Sequence, residues 1–270
     1  MTMFEIFLYE FMIRALLIGI LMAAGTALVS NYLVASNQSL IGDGLAHISF
    51  TGVILGLLLS NYPLLIAIPF SILAAIAIKL LMRLKLEGDS AIGLVSNFIM
   101  AVGFIIISLS KGFNKSVESM LVGSMFSTTW TDVIIILIVV TLLIIFVVFS
   151  YKQLFSMTYD IDYAKFSNVN VIVYDYLLTI LTAVLVVIGV QTIGTLLISA
   201  FIIFPSVSSS LIAKSFKQMI FISLLINIII TIIGIISAHF LSLPAGSVII
   251  VLHGLSFIIL YIYKKIRRYE

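Results

Sequence analysis

Apolar runs of about eighteen or more residues follow one another along this chain, each long enough to cross a bilayer as a helix. In lipid every backbone N–H and C=O must be bonded internally, which leaves such a chain one workable fold, a bundle of spanning helices. Composition agrees: 63% of residues are hydrophobic and 9% are charged, where soluble domains carry roughly 25% charged residues. The expectation is an all-α, polytopic membrane bundle forming a single domain over residues 1–270, with no sizeable soluble part.

The runs fall at roughly 12–35, 46–60, 62–82, 91–110, 132–149, 172–191, 193–212, 218–241 and 246–262. The second is short for a full span, so eight or nine complete crossings are expected. Basic residues set the orientation. Lys79, Arg83 and Lys85 mark one loop, Lys152 and Lys165 a second, Lys214 and Lys217 a third, and Lys264, Lys265, Arg267 and Arg268 the tail. Counting spans puts all four clusters on one side, which the positive-inside rule makes cytoplasmic. The carboxyl terminus is then cytoplasmic and the setting is a plasma membrane.

The net charge of +3 arises from these clusters, so it reads as topology and not as nucleic-acid binding. The absence of cysteine excludes thiolate metal sites, iron–sulfur ligation and disulfides. Glu5 and Glu10 stand before the first run, without a basic start or a small-residue cleavage site, so no removable signal peptide is expected. No Gly-x-x-x-x-Gly-Lys-Ser/Thr loop, His-Glu-x-x-His or Gly-x-Ser-x-Gly occurs. The chain therefore lacks a nucleotide cradle and the usual intramembrane hydrolase motifs, and any ATPase is a separate chain.

The chemistry concentrates in Gly42-Asp43-Gly44-Leu45-Ala46-His47. Four residues apart on a helix, Asp43 and His47 share a face. Ionisable groups inside lipid mark ion or proton pathways, and carboxylate oxygen with imidazole nitrogen suits a divalent transition metal. The bland reading makes Asp43 a helix cap and His47 a buried neutral histidine. Two ligands hold a metal poorly, and the same pair from a second copy would complete a four-donor site for zinc or manganese.

Other candidates are weaker. His239, near the outer end of its run, reads as an interfacial hydrogen-bonding residue or as a hand-over point for metal at the entrance, and Glu118, on an outer loop, as a solvated charge or a gatherer of cations. His253 lies deep in the last run and reads as a core histidine. Asp89 reads as a helix N-cap, and Pro205 must kink or interrupt its helix. Gly52 and Gly56 form a small-xxx-small pair for close helix contact. The polar stretch 158–170, with Asp160, Asp162, Ala164 and Lys165, reads as a short amphipathic helix ended by Asn168 in a left-handed capping position. It suits a groove on a partner protein or the lipid surface.

Several blocks together resemble the permease subunits of bacterial ATP-driven zinc and manganese importers, the ABC-3 metal permease family. They are Ser39-Leu40-Ile41-Gly42-Asp43-Gly44-Leu45-Ala46-His47, Asp89-Ser90-Ala91-Ile92-Gly93, Leu121-Val122-Gly123-Ser124, Gly194-Thr195-Leu196-Leu197-Ile198-Ser199-Ala200 with Pro205, and Pro244-Ala245-Gly246. The resemblance covers nearly the whole chain. It implies a type II importer-like permease that works as a homodimer with two cytoplasmic ATP-binding subunits and an extracytoplasmic metal-binding protein. It also implies that Asp43 and His47 face the translocation path, and that Asp160, Asp162, Ala164, Lys165 and Asn168 belong to a coupling helix that docks on the ATPase. There Asn168 stands where the family has glycine. The Gly-Leu-Ala-His form of the first block leans toward zinc. No permanently bound cofactor is expected; the metal is cargo. The competing readings are a manganese or iron importer of the same build, a permease for a chelated cofactor, an ion-coupled secondary transporter, and an intramembrane enzyme.

Overall fold

The computed structural model describes residues 9–60, 62–110, 123 and 125–267, and among them every regular element is helical. Among the described residues, nine helices are long and apolar enough to span a membrane. They are α1 (Glu10–Ala35), α2 (Ile41–Leu59), α3 (Pro63–Arg83), α4 (Gly88–Leu109), α5 (Trp130–Phe149), α8 (Val171–Ile193), α9 (Thr195–Ile212), α10 (Phe216–Leu241) and α11 (Ala245–Arg267). Two short helices, α6 (Tyr151–Tyr159) and α7 (Ile161–Phe166), lie between α5 and α8. Glu118, most of the 111–124 stretch and Arg268 lie outside the described residues.

Local chemistry fixes the helix ends. Thr129 and Asp132 form a reciprocal capping box at the start of α5, and Ser215 caps α10 through Gln218 N. Asp160 caps α7 by accepting from the Asp162 and Tyr163 N–H groups, which divides the expected 158–168 helix into α6 and α7. Asn168 has φ +57°, and the bonds Asn168 N to Lys165 O (3.1 Å) and Val169 N to Ala164 O (3.0 Å) complete a Schellman turn.

α2 is the most enclosed span. It begins five residues before the expected apolar run, because Gly42 and Gly44 let it press against its neighbours. A Cβ on Gly42 would meet Ile202 of α9, and one on Gly44 would meet Ile92 of α4. At its other end Gly56 touches the Pro63 backbone, with an added Cβ only 2.5 Å from the Pro63 carbonyl oxygen. A Gly56→Ala change gains about 1 kcal/mol of helix propensity. It forces backbone apart, an overpacking cost toward the upper end of about 1–3 kcal/mol. Thermal unfolding in detergent should show a net loss of stability.

Around mid-depth one amide ties three helices together. Asn227, near the middle of α10, has its Nδ2 2.8 Å from Ala23 O and 3.1 Å from Thr26 Oγ1 on α1, and 3.5 Å from Phe201 O on α9. Phe201 O is the carbonyl that Pro205, lacking an N–H, cannot engage. α9 runs unbroken through Pro205, so the proline does not interrupt the helix.

Three sequence expectations change. Lys79 is no loop residue: it sits inside α3 with 2% of its side chain exposed. Asp89 does not cap its own helix. Its carboxylate accepts from Leu40 N (3.3 Å) and Ser39 Oγ (3.4 Å), bonding the approach to α2. The second span is a 19-residue helix beginning at Ile41, with length enough to cross.

Candidate functional site

Every residue of α2 from Ile41 to Ile54 is buried except Asp43 and His47. Helical spacing stacks them on one face, with His47 Nε2 3.5 Å from Asp43 Oδ2 and their side chains 25% and 50% exposed respectively. Asp43 caps nothing in α2; its other oxygen, Oδ1, lies 3.3 Å from Ser199 Oγ of α9. The Ser199 hydroxyl also lies 3.2 Å from Thr195 O, so its one hydrogen is shared between two acceptors. His47 Nδ1 is buried and has no hydrogen-bond partner among the described residues.

The pair lies on the side of α2 where Asp43 meets α9. Gly42 abuts Ile202, next to Phe201, which Asn227 holds level with the centres of α1 and α10. On α3, Ser71 lies 3.4 Å from Ser49, close to His47, and is near the centre of that span. Beyond the pair, the α8–α9 turn consists of Gly194 alone, at φ +90°. Gly123, at φ +68°, lies so close that a Cβ on it would run into the Gly194 backbone. Only glycine tolerates both the conformation and the approach.

The donor set is small. No cluster of three or more His, Asp or Glu side chains able to hold a metal occurs among the described residues. His239 lies at the far end of α10 among Phe11, Phe126 and Phe240, with ring centroids 5.9–6.3 Å away. His253 is fully buried on α11 against Phe201 and Phe204, and neither ring nitrogen has a partner among the described residues. The structure does not bring either histidine to Asp43 and His47, and Glu118 lies outside the described residues. Sequence reading missed Ser199 as a neighbour of Asp43. The signal available was a hydroxyl in an apolar helix, one turn after Thr195.

The 158–170 stretch presents a distinct surface. Asp160 and Lys165 are placed by capping and by a 3.1 Å exposed pair with Asp162. Ala164 is fully buried under α7, while Ile161, Tyr163 and Phe166 stand exposed, Phe166 at 87%. Asn170 caps α8 through Val173 N, so only four residues separate the two helices.

Known proteins share this architecture. The model of a family described as ABC 3 transport family matches residues 8–264. The chain is 32% identical to a probable metal transport system membrane protein of Thermotoga maritima, over 93% of this chain and 89% of that one. It is 30% identical to the manganese import system permease protein ScaB of Streptococcus gordonii, over 97% and 93%. The solved structure of PsaBC from Streptococcus pneumoniae in complex with Fab superposes with a TM-score of 0.82 at 29% identity, covering 94% of this chain and 91% of that one. Matched along almost its entire length, this multi-pass membrane protein belongs to the ABC 3 transport family and is a metal permease, a transport component.

Proposed function

We propose that the chain is the membrane subunit of an ATP-driven importer of divalent metal, working as two copies. The observation that carries this reading is the exposure pattern of α2: its enclosed stretch opens at one acid and one imidazole and nowhere else. In a monomer these two donors and Ser199 leave an ion under-coordinated. A second copy facing the same opening supplies two more oxygen and nitrogen donors, the number a four-coordinate ion needs. ATP-binding subunits dock on the face of Ile161, Tyr163 and Phe166, and an extracytoplasmic metal-binding protein delivers the ion at the opposite end. The basic ends of α3, α9 and α11, with the carboxyl terminus, then face the cytoplasm.

Two carboxylates and two imidazoles, one pair from each copy, form a four-donor oxygen and nitrogen set of the kind that holds zinc(II), and this supports zinc(II) as the cargo. Manganese(II) is the second reading, favoured by the name of the Streptococcus gordonii relative. Uptake into vesicles holding the permease, its ATP-binding subunits and the metal-binding protein separates them. ATP-dependent zinc(II) accumulation that excess manganese(II) fails to suppress is the expected result. Preferential manganese(II) accumulation favours the second reading, and no ATP-dependent uptake of zinc(II), manganese(II) or iron(II) refutes the proposal.

A further inference from the structure

Lys79 of α3 is almost wholly enclosed, and its ammonium has two partners: Asp175 Oδ1 of α8 at 2.6 Å and Gln38 Oε1 of the α1–α2 connection at 2.8 Å. Both partners lead somewhere. Asp175 lies in the second turn of α8, nine residues after Phe166, and the stretch between is held stiffly by the Asn168 turn and the Asn170 cap. One residue on, Tyr176 carries the Arg83 guanidinium 4.8 Å above its ring, a second tie between α3 and α8. On the other side, the Gln38 carbonyl accepts from Ile41 N, the first residue of α2. Asp43 follows two residues later. Asn37 at φ +55°, the Gln38 N to Leu33 O bond and the Asp89 contacts leave this connection little freedom. A path of helix backbone and short polar contacts therefore runs from the segment after α7 along the start of α8, through Lys79 and Gln38, to the first turn of α2, which carries Asp43.

We propose that Lys79, with Asp175 and Gln38, is a mechanical joint that carries movement of the Asp160–Asn168 segment to the Asp43–His47 pair. The inference rests on the reading of those two places as ATPase-docking surface and metal path. Stability alone is a poor reason for this ion pair, since well-packed apolar replacements of a buried pair are often neutral or stabilising. Ionisable groups placed this way in a membrane protein are functional by default. Asp175 keeps 28% of its side chain exposed, so the pair is not sealed on every side and can part and re-form.

The test replaces the pair with apolar residues, Lys79→Met with Asp175→Leu, in the complete complex with its ATP-binding subunits and metal-binding protein. ATP hydrolysis and zinc(II) uptake are measured together, with manganese(II) and iron(II) in parallel, beside the wild type and the single Lys79→Met variant. Hydrolysis should persist while ions moved per ATP fall about fivefold or more, the scale of an ordinary coupling energy. An unchanged ratio, or uptake and hydrolysis falling in proportion, would overturn the joint. If the double variant fails to assemble, Lys79→Met decides by the same ratio. A wild-type complex that moves none of these ions with ATP refutes the transport reading itself, an outcome distinct from an altered ratio.

Discussion

Asp43→Ala is expected to cut ATP-dependent metal uptake at least about 100-fold, since even second-shell losses at metal sites cost 10–100-fold. His47→Ala should match it, and the double variant should be scarcely worse than either, because both side chains are proposed to serve one ion and their losses cannot add. The fold should tolerate these changes. Both side chains are partly exposed, and neither is buried inside the protein as a paired charge. Removing Asp43 leaves Ser199 its second acceptor, the Thr195 carbonyl. Protein amount in the membrane and detergent melting should thus stay near wild type while uptake, followed with zinc(II) and manganese(II), disappears. Uptake within about threefold of wild type in either variant would remove the pair from the pathway, because a ligand contributes far more than that.

The second large effect concerns Phe166. At 87% exposure, beside exposed Tyr163 and Ile161 and over buried Ala164, it is the most prominent apolar side chain of α7. Aromatic residues of this kind are the usual hot spots of interfaces, worth 2 kcal/mol or more, about 30-fold in affinity. Phe166→Glu should release the ATP-binding subunits on purification and abolish uptake, while the permease itself still folds, since Phe166 touches little of its own chain. Tyr163→Glu should act likewise. Retention of stoichiometric ATP-binding subunit by Phe166→Glu would mean that α7 faces lipid or solvent and not a partner.

The spans were legible from residue types because a bilayer permits few alternatives: an apolar run of spanning length has one fate. The i, i+4 placement of Asp43 and His47 followed from helix geometry alone. What escaped reading were places where tertiary contact overrules local signal. α2 starts at Ile41, five residues ahead of its apolar run, because Gly42 and Gly44 permit close contact with α9 and α4. Lys79 looks like a loop marker because basic residues end most apolar runs, and its partners Gln38 and Asp175 are 41 and 96 residues away in sequence. Asp89 has the spacing of a cap and bonds the start of a different helix. The last two are polar side chains whose partners no local pattern names.

The Asn227 amide divides the molecule into a frame and a shutter. Its three contacts fasten α1, α9 and α10 together at their waists, where lipid offers no competing hydrogen bond, so sliding any one of them exposes bare polar atoms to oil. Between α2 and α9 the contacts are gentler: glycine against isoleucine, and one shared hydroxyl hydrogen. The compliant boundary thus passes directly beside the acid and imidazole, and a slight rocking of α2 alters their surroundings without unfastening the frame.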